Sequence, residues 1–186
     1  MKLILASKSP RRIELLKSLG YDFEVISYDV NEEIIKSNNE AEIVMSIAKR
    51  KAYPVYLDHQ DSFVMGFDTL VFYNGKSFGK PKDEKDLRNM LKTLKNKTHK
   101  VITGAYFKSK DFEQSFYSEA LVTFGDISDE EIDEYVKREE VYSIAGGYAI
   151  QGYAARFIKC VQGDYYTIVG LPLFDVYNIL KREYKK

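Results

Sequence analysis

The sequence predicts an α/β fold, a mixed twisted β-sheet with flanking helices. Two observations carry this. Amphipathic helical patterns alternate with strand-like runs along the 186 residues, and some neighbouring runs are joined by short polar turns while others are separated by a helix. A sheet fed by hairpins as well as by single strands between helices is mixed rather than purely parallel. No repeat, low-complexity tract or Pro/Gly/Ser-rich linker interrupts the pattern, so one domain over residues 1–186 is expected.

The elements follow in order. Leu3-Ile4-Leu5-Ala6 is a short apolar strand. Ser9 suits an N-cap and Pro10 the first helical turn, where its missing N–H costs nothing, so a helix opens there and ends at Gly20. Asp22 to Val30 reads as extended and 31–39 as a polar connection. Ile43, Val44, Ile47, Ala48, Ala52 and Val55 recur at helical spacing from Glu40 to about Tyr56. Ser62 to Tyr73 is a strand rich in Phe, Val and Leu, and Asn74-Gly75 turns it into a second strand. Leu87, Met90, Leu91 and Leu94 mark another helix. Lys100 to Lys108 and Ser115 to Phe124 are expected to pair, and the capping box Ser128-Asp129-Glu130-Glu131 opens a helix to about Arg138. Arg156 to Gln162 and Tyr165 to Val169 read as strands on either side of Gly163-Asp164, and a last helix begins near Pro172.

Composition narrows the function. Lys plus Arg and Asp plus Glu each total 28, so no global field draws the chain to nucleic acid or to an anionic membrane. The apolar run at the N-terminus is too short for a signal peptide or a membrane span, and the expectation is a cytoplasmic protein with neither nucleic-acid nor membrane partners. Cys160 has no cysteine to pair with, and its alternating surroundings suggest packing. His59 and His99 lie far apart without cysteine neighbours, which disfavours zinc; a metal here would be held by oxygen.

Several residues break their own pattern. Asp68 stands inside an apolar strand, where a carboxylate needs a cation, hydrogen bonds or a raised pKa to compensate its burial; a strand-end position facing solvent is the alternative. Lys51 falls four residues after Ile47, in line with the apolar stripe of its helix, so it either points inward or snorkels to water. Gly79-Lys80-Pro81 presents a second lysine in a turn. Asp29, Glu32 and Glu33, with Asp68, offer the hard oxygens that magnesium or manganese takes, or else form a solvated acidic surface. Ser7, Ser9, Arg11 and Arg12 at the first helix start suit phosphate oxygens, unless the arginines are merely solvated. Ala145 to Gly152 holds three glycines, permitting close backbone approach to a ligand, and Gln151 can donate to and accept from a base edge.

Together Ser7-Lys8-Ser9-Pro10-Arg11-Arg12, Gly66-Phe67-Asp68-Thr69, Gly79-Lys80-Pro81, Val101-Ile102-Thr103-Gly104, Ala145 to Gly152 and Val169-Gly170-Leu171-Pro172-Leu173 resemble, collinearly and over essentially the whole chain, the Maf family of nucleoside triphosphate pyrophosphatases, also described as septum formation inhibitors. The resemblance implies a fold related to the inosine triphosphate pyrophosphatases, with two lobes around a central cleft. It implies hydrolysis of dTTP and UTP to the monophosphate and pyrophosphate with a divalent cation, magnesium or manganese, and leaves a homodimer open. By the same resemblance Asp68 is the proton acceptor and, with Glu32, a metal ligand. Lys51, Lys80, Arg12 and the helix start at Ser7 and Ser9 neutralise the phosphates, while Arg11, Thr69 and Gln151 mark the pyrimidine branch rather than the one acting on 7-methyl-GTP. Phe67, Ile144 and Asn31 depart from the family pattern, which has a small alanine, a lysine and an acid at these points. A nucleotide-sensing regulator of cell division with little turnover is the competing expectation.

Overall fold

Leu3, Ile4 and Leu5 are apolar on both faces, which suits a strand covered on two sides, and they form the parallel core of the sheet. In the computed structural model, which describes residues 1–32, 35 and 37–184, β1 (Lys2–Leu5) pairs in parallel with β2 (Glu24–Val25) and with β3 (Ser62–Tyr73). Strand β3 pairs antiparallel with β4 (Lys76–Phe78), and β6 (Glu113–Phe124) pairs antiparallel with β7 (Ile158–Gly163). With β5 (Thr98–Lys108) the strand order is β2-β1-β3-β5-β6-β7, and β4 joins β3 off this path. The expected mixed sheet is present.

The chain divides into two compact units, one of residues 1–68, 103–118 and 170–186 and the other of residues 69–102 and 119–169. In the first, α1 (Pro10–Ser18), α2 (Glu40–Asp58) and α6 (Leu173–Glu183) accompany the strands. Its organising contact is made by two glycines. A Cβ on Gly66 would lie 2.8 Å from the Ala48 carbonyl oxygen and 2.8 Å from the Ala52 Cβ, and one on Gly104 would lie 2.4 Å from the Val44 carbonyl carbon. Helix α2 therefore rests directly on the backbones of β3 and β5, and Ile4, Ala6, Ala48, Ala52, Val55, Val64 and Tyr106 close around this contact. Phe63 and Phe67 both pack against Phe107, Phe67 edge-on with ring centres 5.8 Å apart. That contact explains the bulky residue before Asp68, since Phe67 is fully buried in this aromatic layer.

The second unit holds α3 (Glu84–Leu94), α4 (Asp129–Tyr135) and α5 (Tyr165–Val169) around Leu87, Leu91, Leu94, Val122, Phe124, Ile132, Tyr135, Tyr148 and Phe157. The capping box at Ser128 and Glu131 forms with both reciprocal bonds. Buried His99 lies edge-on to Phe124, and its Nε2 is 2.6 Å from the Tyr148 hydroxyl.

Some expectations are corrected. Tyr165 to Val169 is helical, because the Asp164 carboxylate accepts the backbone N–H groups of Tyr166 and Thr167 and caps a helix directly after Gly163, whose φ is +100°. The extended segment from Asp22 pairs only at Glu24 and Val25, where it meets Ile4 and Leu5. The region 153–157 is a 3-10 turn, so β7 starts at Ile158. Helix α4 stops at Tyr135, with Val136 as its C-cap, short of Arg138. Cys160 is exposed rather than packed, since β7 ends the strand order and buries little of its length.

Candidate active site

Side chains two apart on a strand share a face, so Asp68 points the same way as Gly66, toward α2. Helix α2 touches Gly66 through Ala48 and Ala52, which puts Lys51, in the same turn, next to Asp68. The Lys51 ammonium donates to Asp68 Oδ1 at 2.6 Å and lies 3.1 Å from Glu32 Oε1. The two anomalies of the sequence thus have a common cause. The inward reading of Lys51 holds, with its side chain 15% exposed, and Asp68 is buried rather than facing solvent.

Asp68 Oδ2 is buried and has no hydrogen-bond partner. Burial raises the Asp68 pKa above the usual carboxylate range, and Lys51 and then Arg12 oppose that rise without cancelling it. A carboxylate of this kind has an unsatisfied oxygen and an increased affinity for a proton.

Arg12 is anchored from two sides. Its Nε donates to the Gly170 carbonyl at 2.8 Å and its Nη1 to Ser7 Oγ at 3.2 Å, and Ser7 Oγ also accepts the Ser9 backbone N–H at 3.3 Å. Ser9 occupies the N-cap position, yet its side chain makes no capping bond; the hydroxyl of Ser7 orders the helix entrance instead. Burial lowers the Arg12 pKa to about 10, with Asp68 pulling the other way, so the guanidinium stays charged at neutral pH. Arg11, half-buried, is also lowered by burial.

Glu32 is exposed and reached from α2 twice over. While Lys51 meets its carboxylate, Arg50 Nη1 donates to the carbonyl of the preceding residue, Asn31, at 2.8 Å. At Asn31 the main-chain carbonyl is the acceptor, a role any residue could fill. Asp29 is exposed, and Glu33 lies outside the described residues.

The remaining candidates belong to the second unit. The Gly146 N–H donates to the Gly79 carbonyl at 2.9 Å, and a Cβ on Gly147, whose φ is +71°, would lie 2.2 Å from Leu87 Cδ1. The turn carrying exposed Lys80 and the glycine segment leading to exposed Gln151 are therefore tied together. Ile144 sits half-buried between two 3-10 turns of that segment. Tyr153, two residues past Gln151, has Arg138 and Arg156 each 3.5 Å from its ring centre. Thr69 follows Asp68 in β3 and is half-buried.

Sequence reasoning missed the Gly170 carbonyl and Arg50. Gly170, whose φ is +110°, is marked in the sequence only by its place in the Val169-Gly170-Leu171-Pro172-Leu173 motif, and nothing in the pattern singles out Arg50.

Buried, partly unsatisfied Asp68 thus lies with its lysine partner and an anchored arginine on a sheet-and-helix frame. The family model for the Maf-like proteins matches residues 2–183, and the chain belongs to the Maf family. It is 44% identical over 181 residues, 97% of this chain and 95% of the relative, to a protein of Bacillus cytotoxicus named dTTP/UTP pyrophosphatase. A Bacillus anthracis protein of the same name is 43% identical over the same shares. Among solved structures, the Ham1 protein of Staphylococcus aureus matches with a TM-score of 0.59 at 13% identity, covering 98% of this chain and 100% of that one, a likeness of fold.

Proposed function

We propose that this protein is a nucleoside triphosphate pyrophosphatase that hydrolyses UTP and dTTP to the monophosphate and pyrophosphate. The observation that carries the reading is Asp68, buried, with its Oδ2 unpartnered and its proton affinity raised, held beside Lys51. The names of the relatives support the substrate class.

In this reading water attacks the α-phosphorus, the bond to the bridging oxygen breaks, and pyrophosphate leaves with the electron pair. Asp68 accepts the proton of the attacking water at Oδ2. Its raised pKa suits that task, because a carboxylate with an ordinary pKa is a weak base near neutrality. Arg12, pinned by Gly170 and Ser7, offers a fixed positive charge to the phosphates, and Ser7, Ser9 and Arg11 line the same helix entrance. Lys51 and Lys80 add mobile positive charge for the leaving group. Gln151 and Thr69 read the pyrimidine edge through groups that both donate and accept.

The residues present fit a divalent cation. Asp68 Oδ1 and Glu32 Oε1 both reach the Lys51 ammonium, so two hard carboxylates converge on one cation position while the buried Oδ2 stays available for the proton. Among the described residues no group of three or more His, Cys, Asp or Glu forms, so water and phosphate oxygens would supply the other ligands, as magnesium commonly requires. Such a cation would neutralise charge on the triphosphate and orient it.

The test is pyrophosphate release from a panel of nucleoside triphosphates with magnesium or manganese. UTP and dTTP should lead; orthophosphate and the diphosphate as primary products would place the cleavage at the wrong bond. A folded protein with no turnover on any nucleotide would favour the sensor reading.

A further inference from the structure

We infer that Lys51 occupies the cation position of this site until the nucleotide arrives, so that a divalent metal binds together with the triphosphate and not before it. The inference rests on the metal-assisted reading above and deepens it.

The first support is geometric. The Lys51 ammonium bridges Asp68 Oδ1 at 2.6 Å and Glu32 Oε1 at 3.1 Å, the two carboxylates that suit a metal. An ammonium is a compact point charge on a flexible four-carbon stem, so it can act as a stand-in cation and still swing away.

The second is charge. Asp68 and Glu32 carry two negative charges, Lys51 and Arg12 two positive ones, and Arg12 feels both carboxylates. Arg12 also feels Arg11, so the nucleotide-free group carries no net negative charge that a metal would offset. Arg12 cannot relax, because its Nε and Nη1 are committed to Gly170 and Ser7. A divalent ion added alone would bring two uncompensated positive charges beside side chains that are 15% and 8% exposed, where the dielectric is low and repulsion correspondingly strong. A triphosphate brings negative charge, gives Lys51 new oxygens to pair with, and completes the metal's coordination.

The third is Asp68 Oδ2, buried and unpartnered while Oδ1 is taken by Lys51. The ammonium therefore engages the oxygen that faces Glu32 and leaves Oδ2 to the proton, so the position a metal would take is the one Lys51 already fills.

The experiment is manganese(II) binding to the nucleotide-free protein, followed by the electron paramagnetic resonance signal of the free ion. Lys51→Met keeps the stem and removes the charge, and it should bind manganese(II) at least about tenfold more tightly than the parent. Lys51→Arg retains a cation and should stay near the parent. Adding Glu32→Gln to Lys51→Met should abolish the gain. Parent-like or weaker binding by folded Lys51→Met would overturn the inference, as would a gain that survives loss of Glu32. Should Lys51→Met not fold by circular dichroism, Lys51→Gln gives the same readout. No nucleotide enters this titration, so it stands or falls separately from pyrophosphate release: a chain that fails to cleave UTP defeats the enzymatic reading, whereas an unchanged manganese(II) affinity defeats only the ordering.

Discussion

Replacing Asp68 by Asn should cost activity and add stability at once. Asn keeps the shape, and its amide oxygen can still accept from Lys51, which also retains Glu32 3.1 Å away. What disappears is a proton acceptor and a buried negative charge. Loss of a general base costs about a hundredfold to ten-thousandfold, or roughly 3–5 kcal/mol of barrier, and kcat should fall accordingly while nucleotide still binds. The stability change has the opposite sign. Because burial outweighs Lys51 and Arg12, the folded pKa of Asp68 lies above its ordinary value of 3.8. A group raised in this way contributes its stability below the unfolded pKa and loses it as pH rises through the folded one, so at pH 7 ionised Asp68 destabilises the fold. Removing that charge should therefore raise the Tm at pH 7. Steady-state kinetics and thermal melts at pH 7 and near pH 4 measure both effects, and the Tm advantage of the variant should shrink at the acid end. More than half the parent kcat, or a lower Tm at pH 7, would refute the reasoning.

His99 is buried and has its pKa lowered to about 4, so it is neutral when folded and the unfolded chain binds the extra proton; stability should fall by about 3 kcal/mol between pH 6.5 and 4, and a denaturant series in which His99→Gln shows the same pH slope would sink this assignment. Gly104→Ala would set a Cβ 2.4 Å from the Val44 carbonyl carbon, forcing α2 off β5 at a cost of about 3 kcal/mol; urea unfolding checks it, and a change below about 0.5 kcal/mol would contradict the packing. Gln151→Ala should narrow the kcat/KM gap between UTP and CTP by about tenfold or more, since a mismatched polar contact is worth roughly 1–3 kcal/mol; equal losses on both nucleotides would mean that Gln151 only supports its loop.

Much of the architecture is legible in local pattern. The spacing of Leu87, Met90, Leu91 and Leu94, the alternation through β5 and the capping box at Ser128 each specify an element from neighbouring residues, and all three are present. The reading failed at Tyr165 to Val169, where β-branched and aromatic residues look strand-like and a single cap at Asp164 overrides them. Cys160 misled for a related reason: alternation signals a strand but not whether that strand ends the sheet.

For the candidate site, the chain order already marked Asp68 and Lys51 as misplaced, because a charge inside an apolar period is visible without coordinates. Their meeting was not visible. Lys51 and Asp68 stand 17 residues apart, and they touch only because glycines in β3 and β5 let α2 settle on the strands in one rotation and register. Arg12 and the Gly170 carbonyl are 158 residues apart, joined by a backbone oxygen that no side-chain pattern encodes. Periodicity records which face a residue takes on its own element; which partner that face meets, and whether a carboxylate there keeps an oxygen without a partner, follows from long-range packing.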